Sequence, residues 1–216
     1  MHIISIQVGK PRRIQWNGEE ITTGIFKQPV AGHVPVRKLN LEGDAQADLR
    51  VHGGAKKAVY AYPSEHYPFW RDELPGINLP WGAFGENFTT AGRDEDSVHI
   101  GDIFRFGSAV LRVTQPRFPC YKLGAKFQRD DIISRFLHSG RSGFYLEVLE
   151  EGEAGAGDAI VLVEADPHRV RVADIVSLET SRKNDAALLR RAIAIPALAD
   201  GWKNKFTERL AKLTRE

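Results

Sequence analysis

The segment Gln115-Pro-Arg-Phe-Pro-Cys-Tyr-Lys122 contains the only cysteine of the chain, Cys120. Its two prolines fix the backbone φ angle on either side of Arg117 and remove two backbone hydrogen-bond donors. The preceding run, Ala109–Thr114, has the composition of a β-strand, and the first proline is expected to end it. The pattern predicts that Cys120 lies on a stiff loop at the end of a strand, where its thiol is held in a fixed direction.

The neighbours of Cys120 allow two interpretations. Arg117 and Lys122 lie within three residues of it, and nearby positive charge favours the thiolate, the form that ligates metals or acts as a nucleophile. A cysteine without a disulfide is also commonly a small buried apolar residue. The segment alone leaves both interpretations open.

Composition sets the limits of the fold and its surroundings. A chain of 216 residues corresponds to one domain, or to one domain with a small addition. The 30 Lys and Arg against 28 Asp and Glu exclude an acidic tail or a strongly basic nucleic-acid module. A single cysteine cannot form an internal disulfide, which fits a reducing cytoplasm. The N-terminus resembles a first strand rather than a signal peptide, and no apolar run approaches the ~18 residues of a membrane span.

The order of elements predicts an α+β protein. Short strand patterns dominate up to residue 165, interrupted by helices at Glu65–Glu73 and Asp130–Leu137. Gly107-Ser108 has the signature of a tight turn in a β-hairpin. The predicted strands are 2–8, 20–23, 34–39, 57–62, 103–106, 109–114, 143–149 and 158–164.

From Asp166 onward strand signals stop and three helices are predicted: 173–182, one capped by Asn184 or Asp185, and one from Asp200. We therefore predict a mostly antiparallel, β-barrel-like domain over residues 1–165 and a small three-helix C-terminal domain over 166–216.

Two glycine-punctuated stretches carry polar side chains that are unusual for regular elements. One contains Asp44, His52, Gly53 and Gly54, and the other contains Glu86-Asn87. The glycines can adopt positive φ or let a ligand approach the backbone. The alternative is purely local: a turn histidine bonded to backbone, and acidic side chains that cap loops.

Taken together, five segments indicate a family. They occur in this order: Leu41-Glu-Gly-Asp-Ala-Gln-Ala-Asp48, Val51-His-Gly-Gly54, Gly85-Glu-Asn-Phe-Thr-Thr90, Ile100-Gly-Asp-Ile-Phe104 and Gln115-Pro-Arg-Phe-Pro-Cys120. The chain resembles the MOSC domain family, named for the C-terminal domain of molybdenum cofactor sulfurase. It is most similar to the YiiM-type members, which add a small three-helix C-terminal domain.

The resemblance implies a β-barrel-like MOSC domain in which Cys120 is the thiolate ligand of molybdenum in the pterin-based molybdenum cofactor. YiiM-like relatives reduce N-hydroxylated compounds, including hydroxylaminopurine bases. A soft thiolate suits a redox-active metal, and ligation requires the deprotonated sulfur. Cys120, His52 and Arg117 are the predicted catalytic residues, with His52 as a candidate proton donor.

The cofactor's phosphate and dithiolene charge require hydrogen-bond donors and cations. The predicted cofactor-binding residues are Cys120, Arg117, Lys122, Arg37, Lys56, Asn87 and the backbone N–H groups of Gly53 and Gly54. Asp44 and Glu86 are expected to orient the loops around them.

The leading hypothesis is a cytoplasmic molybdenum oxidoreductase that acts on a small N-hydroxylated substrate. The chain has no flavin or nicotinamide motif, so an external reductase would supply electrons. One alternative is a sulfur-carrier or cofactor-delivery module in which Cys120 carries a persulfide. A nucleic-acid-binding role for the basic last helix is disfavoured by the near-neutral charge. The sequence leaves the oligomeric state open, a homodimer included.

Overall fold

The computed structural model describes residues 1–47 and 53–214, which form an α+β fold. The strands are β1 His2–Val8, β2 Arg12–Trp16, β3 Glu19–Thr23, β4 Gln28–Val30, β5 His33–Val36, β6 Val59–Pro63, β7 Phe88–Ala91, β8 Ile103–Phe106, β9 Ala109–Pro116, β10 Phe144–Glu150, β11 Gly152–Gly155 and β12 Ile160–Glu164. The helices are α1 Tyr67–Glu73, α2 Tyr121–Phe127, α3 Asp131–Ser139, α4 Val172–Ser177, α5 Ala186–Ala194 and α6 Asp200–Leu213. The α+β class predicted from the sequence is therefore confirmed.

The main sheet is mixed and largely antiparallel. Its eight strands run in the order β12-β8-β9-β10-β6-β7-β1-β4. Within the described residues β6 and β7 pair in parallel, and the other neighbours in this sheet pair antiparallel. Strand β9, which leads to Cys120, lies near the middle of the sheet and is paired on both sides.

The two ends of the sheet order approach each other. His2 in β1 forms an isolated antiparallel bridge with Ala159, next to the start of β12. In the described part of the chain this contact is a single bridge, so the sheet is not closed into a barrel by a continuous ladder. The predicted barrel-like form stays a prediction.

The hydrophobic core is continuous from the sheet into the C-terminal helices. Buried residues of β1, β9 and β10 belong to the same apolar cluster as Ile175, Leu189 and Phe206 of α4, α5 and α6. Burial of such side chains stabilises the fold by about 1.5–3 kcal/mol each. The shared core shows that the C-terminal helices pack against the sheet. The predicted domain boundary between residues 165 and 166 stays a prediction.

The local predictions around Cys120 are mostly confirmed. The Gly107-Ser108 hairpin joins β8 to β9, with Gly107 at φ +57°, and β9 ends at Pro116. The structure adds α2, which begins directly after Cys120 and was not predicted. The stiff loop is therefore only the four residues 117–120, held between a strand and a helix.

Candidate active site

A cleft opens beside the loop that carries Cys120. Its empty volume is about 720 Å³, including the space at its open mouth. Residues from seven segments of the chain line it: Thr23 to Ile25 with Lys27, Asp44 to Ala47, Gly53 with Lys57, Tyr60 of β6, Phe84 and Gly85 with Asn87, Arg117 and Phe118 with Cys120 and Lys122, and Tyr145 of β10. His52 lies outside the described residues, so its predicted role stays a prediction.

Cys120 is half-buried and lines this cleft. Its backbone is extended, with φ −129° and ψ 171°, and it immediately precedes the first turn of α2. The Cys120 carbonyl accepts a hydrogen bond from the Leu123 N–H at 2.9 Å, which fixes the loop to the helix. The thiol is thus held by backbone geometry while remaining accessible from the cleft.

Arg117 is a buried cation at the inner wall of the cleft. It is 6% exposed, and its guanidinium carbon lies 5.0 Å from the Phe136 ring centroid and 5.4 Å from that of Tyr60. Among the described residues its Nη1 has no hydrogen-bond partner. A buried donor without a partner is costly. Arg117 is therefore well placed to bind an anionic group in the cleft.

Three lysines line the same cleft: Lys57, the buried Lys122, and Lys27, which pairs with Asp44. Burial lowers the pKa of Lys57, and the negative charge of a Cys120 thiolate acts in the opposite direction. Sequence reasoning named Lys122 but missed Lys57. Arg117, Lys57 and Lys122 line the same cleft as Cys120. Their cationic groups form a donor set suited to an anionic ligand.

Tyr60 and Tyr145 form a polar wall beside Arg117. Burial raises the pKa of both phenols, and the charge of Arg117 partly opposes this rise. Both side chains are consequently neutral hydroxyls at neutral pH. The Tyr60 hydroxyl donates to the Ser142 carbonyl at 2.8 Å. Neither tyrosine was predicted from the sequence, although each lies in a strand whose alternation could have placed it.

Asn87 lines the cleft, but its amide is used by the protein. Asn87 Nδ2 donates to Asp44 Oδ2 at 2.9 Å, and Asn87 Oδ1 accepts from the Tyr60 N–H at 3.1 Å. Asp44 also pairs with the ammonium of Lys27. This network joins the floor of the cleft to β6 and to the loop before β7. It places Asn87 with the supporting structure rather than with groups left available for a ligand.

Glu86 caps the glycine-rich loop 82–85 from within. Its fully buried carboxylate accepts from the Gly82 N–H at 2.7 Å, from the Phe84 N–H at 3.0 Å and from the Tyr67 hydroxyl. These contacts are the ones expected of an acidic side chain that shapes a loop, which was the local interpretation of this residue.

Gly53 and Gly54 have positive φ angles of +115° and +82°. Gly53 lines the cleft, and a Cβ atom built at Gly54 would meet open space. The left-handed conformation strongly favours glycine at both positions. The glycine pair therefore turns the chain at the edge of the cleft.

The structure places two other predicted cofactor-binding side chains away from the cleft. Lys56 Nζ donates to the Leu198 carbonyl at 3.0 Å, at the start of the α6 region. Arg37 pairs with Glu42 at 3.3 Å and Glu151 at 3.5 Å near the protein surface. Lys57, the neighbour of Lys56, lines the cleft instead.

Comparison with known proteins identifies the family. Residues 48–161 match the family described as MOSC domain, and the chain belongs to this family. Residues 172–213 match the YiiM-like, 3-alpha helix domain, which places the chain with the YiiM-type members. The resemblance predicted from the five segments is confirmed.

The relatives cover nearly the whole chain. The uncharacterized protein YflK of Bacillus subtilis is 38% identical over 98% of this chain and 95% of its own length. The crystal structure of YiiM from Geobacillus stearothermophilus has 38% identity and a TM-score of 0.82, covering 97% of this chain and 98% of that one. A Gibberella moniliformis protein named Reductase is 33% identical over 96% of this chain, which spans 37% of that longer protein.

Within residues 1–47 and 53–214, none of the helices has both the length and the apolar character needed to cross a membrane.

Proposed function

We propose that this protein is a cytoplasmic molybdenum-cofactor-dependent oxidoreductase that reduces N-hydroxylated compounds, such as hydroxylaminopurine-type bases, to amines. Its membership of the MOSC family and its similarity to a protein named Reductase support this proposal. The observation that carries it is the half-buried Cys120 thiol in a cleft that Arg117, Lys57 and Lys122 also line.

The donor set fits such a cofactor. Cys120 would bind the metal through its thiolate, the soft ligand that such metals favour. Arg117, whose Nη1 lacks a partner among the described residues, would bind an anionic oxygen together with Lys57 and Lys122. Gly53 lets the ligand approach the backbone. The cleft, with about 720 Å³ of empty volume and an open mouth, would leave room for such a group.

When bound, the cofactor would supply the two-electron redox chemistry. The overall reaction balances as R–NHOH plus two electrons and two protons giving R–NH2 and H2O. The chain's own residues would bind, orient and protonate. Lys57, whose pKa burial lowers, is a suitable proton donor within the cleft, and His52 remains a second candidate. Phe84 and Phe118 exclude water from the wall beside them.

The electrons would come from a separate reductase protein. Because the sequence has no flavin or nicotinamide motif, the protein would need a partner that carries one of these cofactors. An artificial donor can replace this partner in a test, so the natural one need not be known beforehand.

The test measures molybdenum per protein and reduction of hydroxylaminopurine with reduced methyl viologen as electron donor. Protein from a host that makes the cofactor is expected to contain about one molybdenum per chain, and Cys120→Ser should lose both metal and activity. Tyr121→Phe, a change at the adjacent and half-exposed residue, should retain both. Wild-type protein without molybdenum but with sulfane sulfur on Cys120 would instead favour the persulfide carrier.

A further inference from the structure

The last helix contacts the loop that carries Cys120. Trp202 of α6 donates a hydrogen bond from Nε1 to Gln115 Oε1 at 3.0 Å, and its ring centroid lies 4.8 Å from that of Phe118. Gln115 and Phe118 lie on either side of Arg117, and Phe118 lines the cleft. Trp202 thus contacts both Gln115 and Phe118, the two ends of the stretch that contains Arg117.

The segment that carries Lys57 is tied to the same region. Lys56, next to Lys57, donates from Nζ to the Leu198 carbonyl at 3.0 Å and lies 3.7 Å from the Asp200 carboxylate. Its own carbonyl accepts from Gln115 Nε2 at 3.3 Å. The segment that positions Lys57 therefore meets the segment that positions Cys120 at one point.

Gln115 is the centre of this arrangement. Its side chain is 3% exposed and its amide is satisfied at both ends, by Trp202 on the acceptor side and by the Lys56 carbonyl on the donor side. Removing the Trp202 donor would leave a buried acceptor without a partner, which is costly. The amide holds its orientation only while α6 is packed against the loop.

We propose that Trp202 is a positioning residue of the cleft, and that the C-terminal helices form part of the site by holding the Cys120 loop and the Lys57 segment in place. Trp202 acts through Gln115 and Phe118 and need not touch any ligand. The inference concerns the geometry of the loop and holds whichever chemistry Cys120 carries. It gives the three-helix region a role in the site itself.

The test is hydrogen–deuterium exchange of the full-length chain, read in the peptide that contains the Leu123 amide, which donates to the Cys120 carbonyl. Trp202→Ala removes the ring contact and the donor, and should speed exchange in this peptide about tenfold. Trp202→Phe keeps an aromatic ring against Phe118 and should recover part of the protection. Gln115→Met removes the acceptor and should resemble Trp202→Phe.

Phe206→Leu is the matched control, since Phe206 is a fully buried residue of the same helix that packs against Trp202. It lowers stability without removing the contacts to Gln115 or Phe118, and should leave exchange in the Cys120 peptide within about twofold of wild type. Equal exchange in wild type and folded Trp202→Ala, or an equal increase in Phe206→Leu, would overturn the inference. If Trp202→Ala does not fold, exchange in the Cys120 peptide is compared for Trp202→Phe and Gln115→Met. Wild-type exchange in both variants would then overturn the inference.

A kinetic measurement distinguishes this inference from the proposed function. In active enzyme, Trp202→Ala should lower kcat about tenfold and change KM less, because the loop is misplaced while the cleft remains. Wild-type protein without reductase activity contradicts the proposed function and leaves the exchange result as the test of the loop. A folded Trp202→Ala with wild-type kcat and wild-type exchange contradicts the inference alone.

Discussion

The Asn87 side-chain amide and the Asp44 carboxylate form a buried hydrogen bond of 2.9 Å at the floor of the cleft. The same carboxylate pairs with the Lys27 ammonium, and its second oxygen accepts the Gly9 N–H at 2.9 Å. Three segments of the chain are joined through one carboxylate whose side chain is 1% exposed. Asp44 is thus a structural centre of the site, whatever the cleft binds.

Replacement of Asp44 by Ala should destabilise the fold strongly. Burial already lowers the pKa of Lys27, and the charge of Asp44 is the largest opposing influence. Without it, a buried ammonium and the Asn87 amide lose their partner, at a cost of about 3–5 kcal/mol. The measurement is the free energy of unfolding in urea at pH 7.

Asp96→Ala is the control, because its 3.1 Å ion pair with Arg171 is largely exposed. Such pairs contribute under about 1 kcal/mol. Equal losses of unfolding free energy in Asp44→Ala and Asp96→Ala would show that the buried ion pair stabilises the fold no more than the exposed one.

Lys126 should make stability depend on pH in the alkaline range. Burial lowers the pKa of Lys126 to about 8, although its Nζ donates to the Ile25 carbonyl at 3.0 Å. Since the folded pKa lies below the unfolded value of 10.5, the unfolded chain binds more protons between these two pH values. The stability of the wild type should therefore rise by roughly 2 kcal/mol relative to Lys126→Met between pH 7 and pH 10.

Urea unfolding at several pH values gives this difference directly. Lys212→Met, at an exposed position of α6, should track the wild type across the same range. A flat difference between wild type and Lys126→Met would mean that the ammonium keeps its solvation in the folded state.

Two adjacent lysines should differ in their effect on the cofactor. Lys57 lines the cleft, whereas Lys56 donates to the Leu198 carbonyl. If the proposed function holds, Lys57→Gln removes a cation from an anionic ligand and should weaken retention of molybdenum roughly tenfold. Lys56→Gln should leave retention near wild type while lowering the melting temperature. Metal analysis after dialysis measures retention, and similar losses in both variants would contradict this assignment.

The position of Cys120 in the fold was predictable because its signals are local. A single cysteine, two prolines and a strand of alternating apolar residues sufficed to place the thiol at the end of β9. The hairpin between β8 and β9 was likewise predictable from the turn signature Gly107-Ser108. Helix α2 was missed because Pro119 precedes it and Gly124 interrupts it, so the pattern is weak over seven residues.

Arg117 and Lys122 were predicted and line the cleft, but the choice between Lys56 and Lys57 was not predictable, because it depends on tertiary packing. Both lysines lie in the same 3₁₀ turn, where Lys56 binds the Leu198 carbonyl and Lys57 lines the cleft. Arg37 is chemically suited to an anion but pairs with Glu42 and Glu151. Four strands were not predicted: β2, β4, β7 and β11. Strand β2 is charged and β11 is glycine-rich, so their pairing partners define them.

Gly143 should be among the least replaceable residues near the cleft. It has φ +61°, its N–H donates to the Glu95 carboxylate, and its carbonyl accepts from the Arg117 N–H at 3.4 Å. A Cβ atom there would lie 2.5 Å from the Ala61 carbonyl oxygen, which is backbone and has little freedom to move. Conformational strain and overpacking act together at this position, so Gly143→Ala should cost about 3 kcal/mol or more.

Gly140→Ala separates these two causes, because Gly140 has a similar φ of +70° and a Cβ atom there would have no neighbour within 4 Å. This variant should cost only about 1–2 kcal/mol, the strain alone. Urea unfolding compares the two variants. Because Gly143 also anchors Arg117, only Gly143→Ala should increase hydrogen exchange at the Arg117 amide. Equal destabilisation by both variants would show that the packing against Ala61 relaxes without cost and that strain alone makes glycine necessary here.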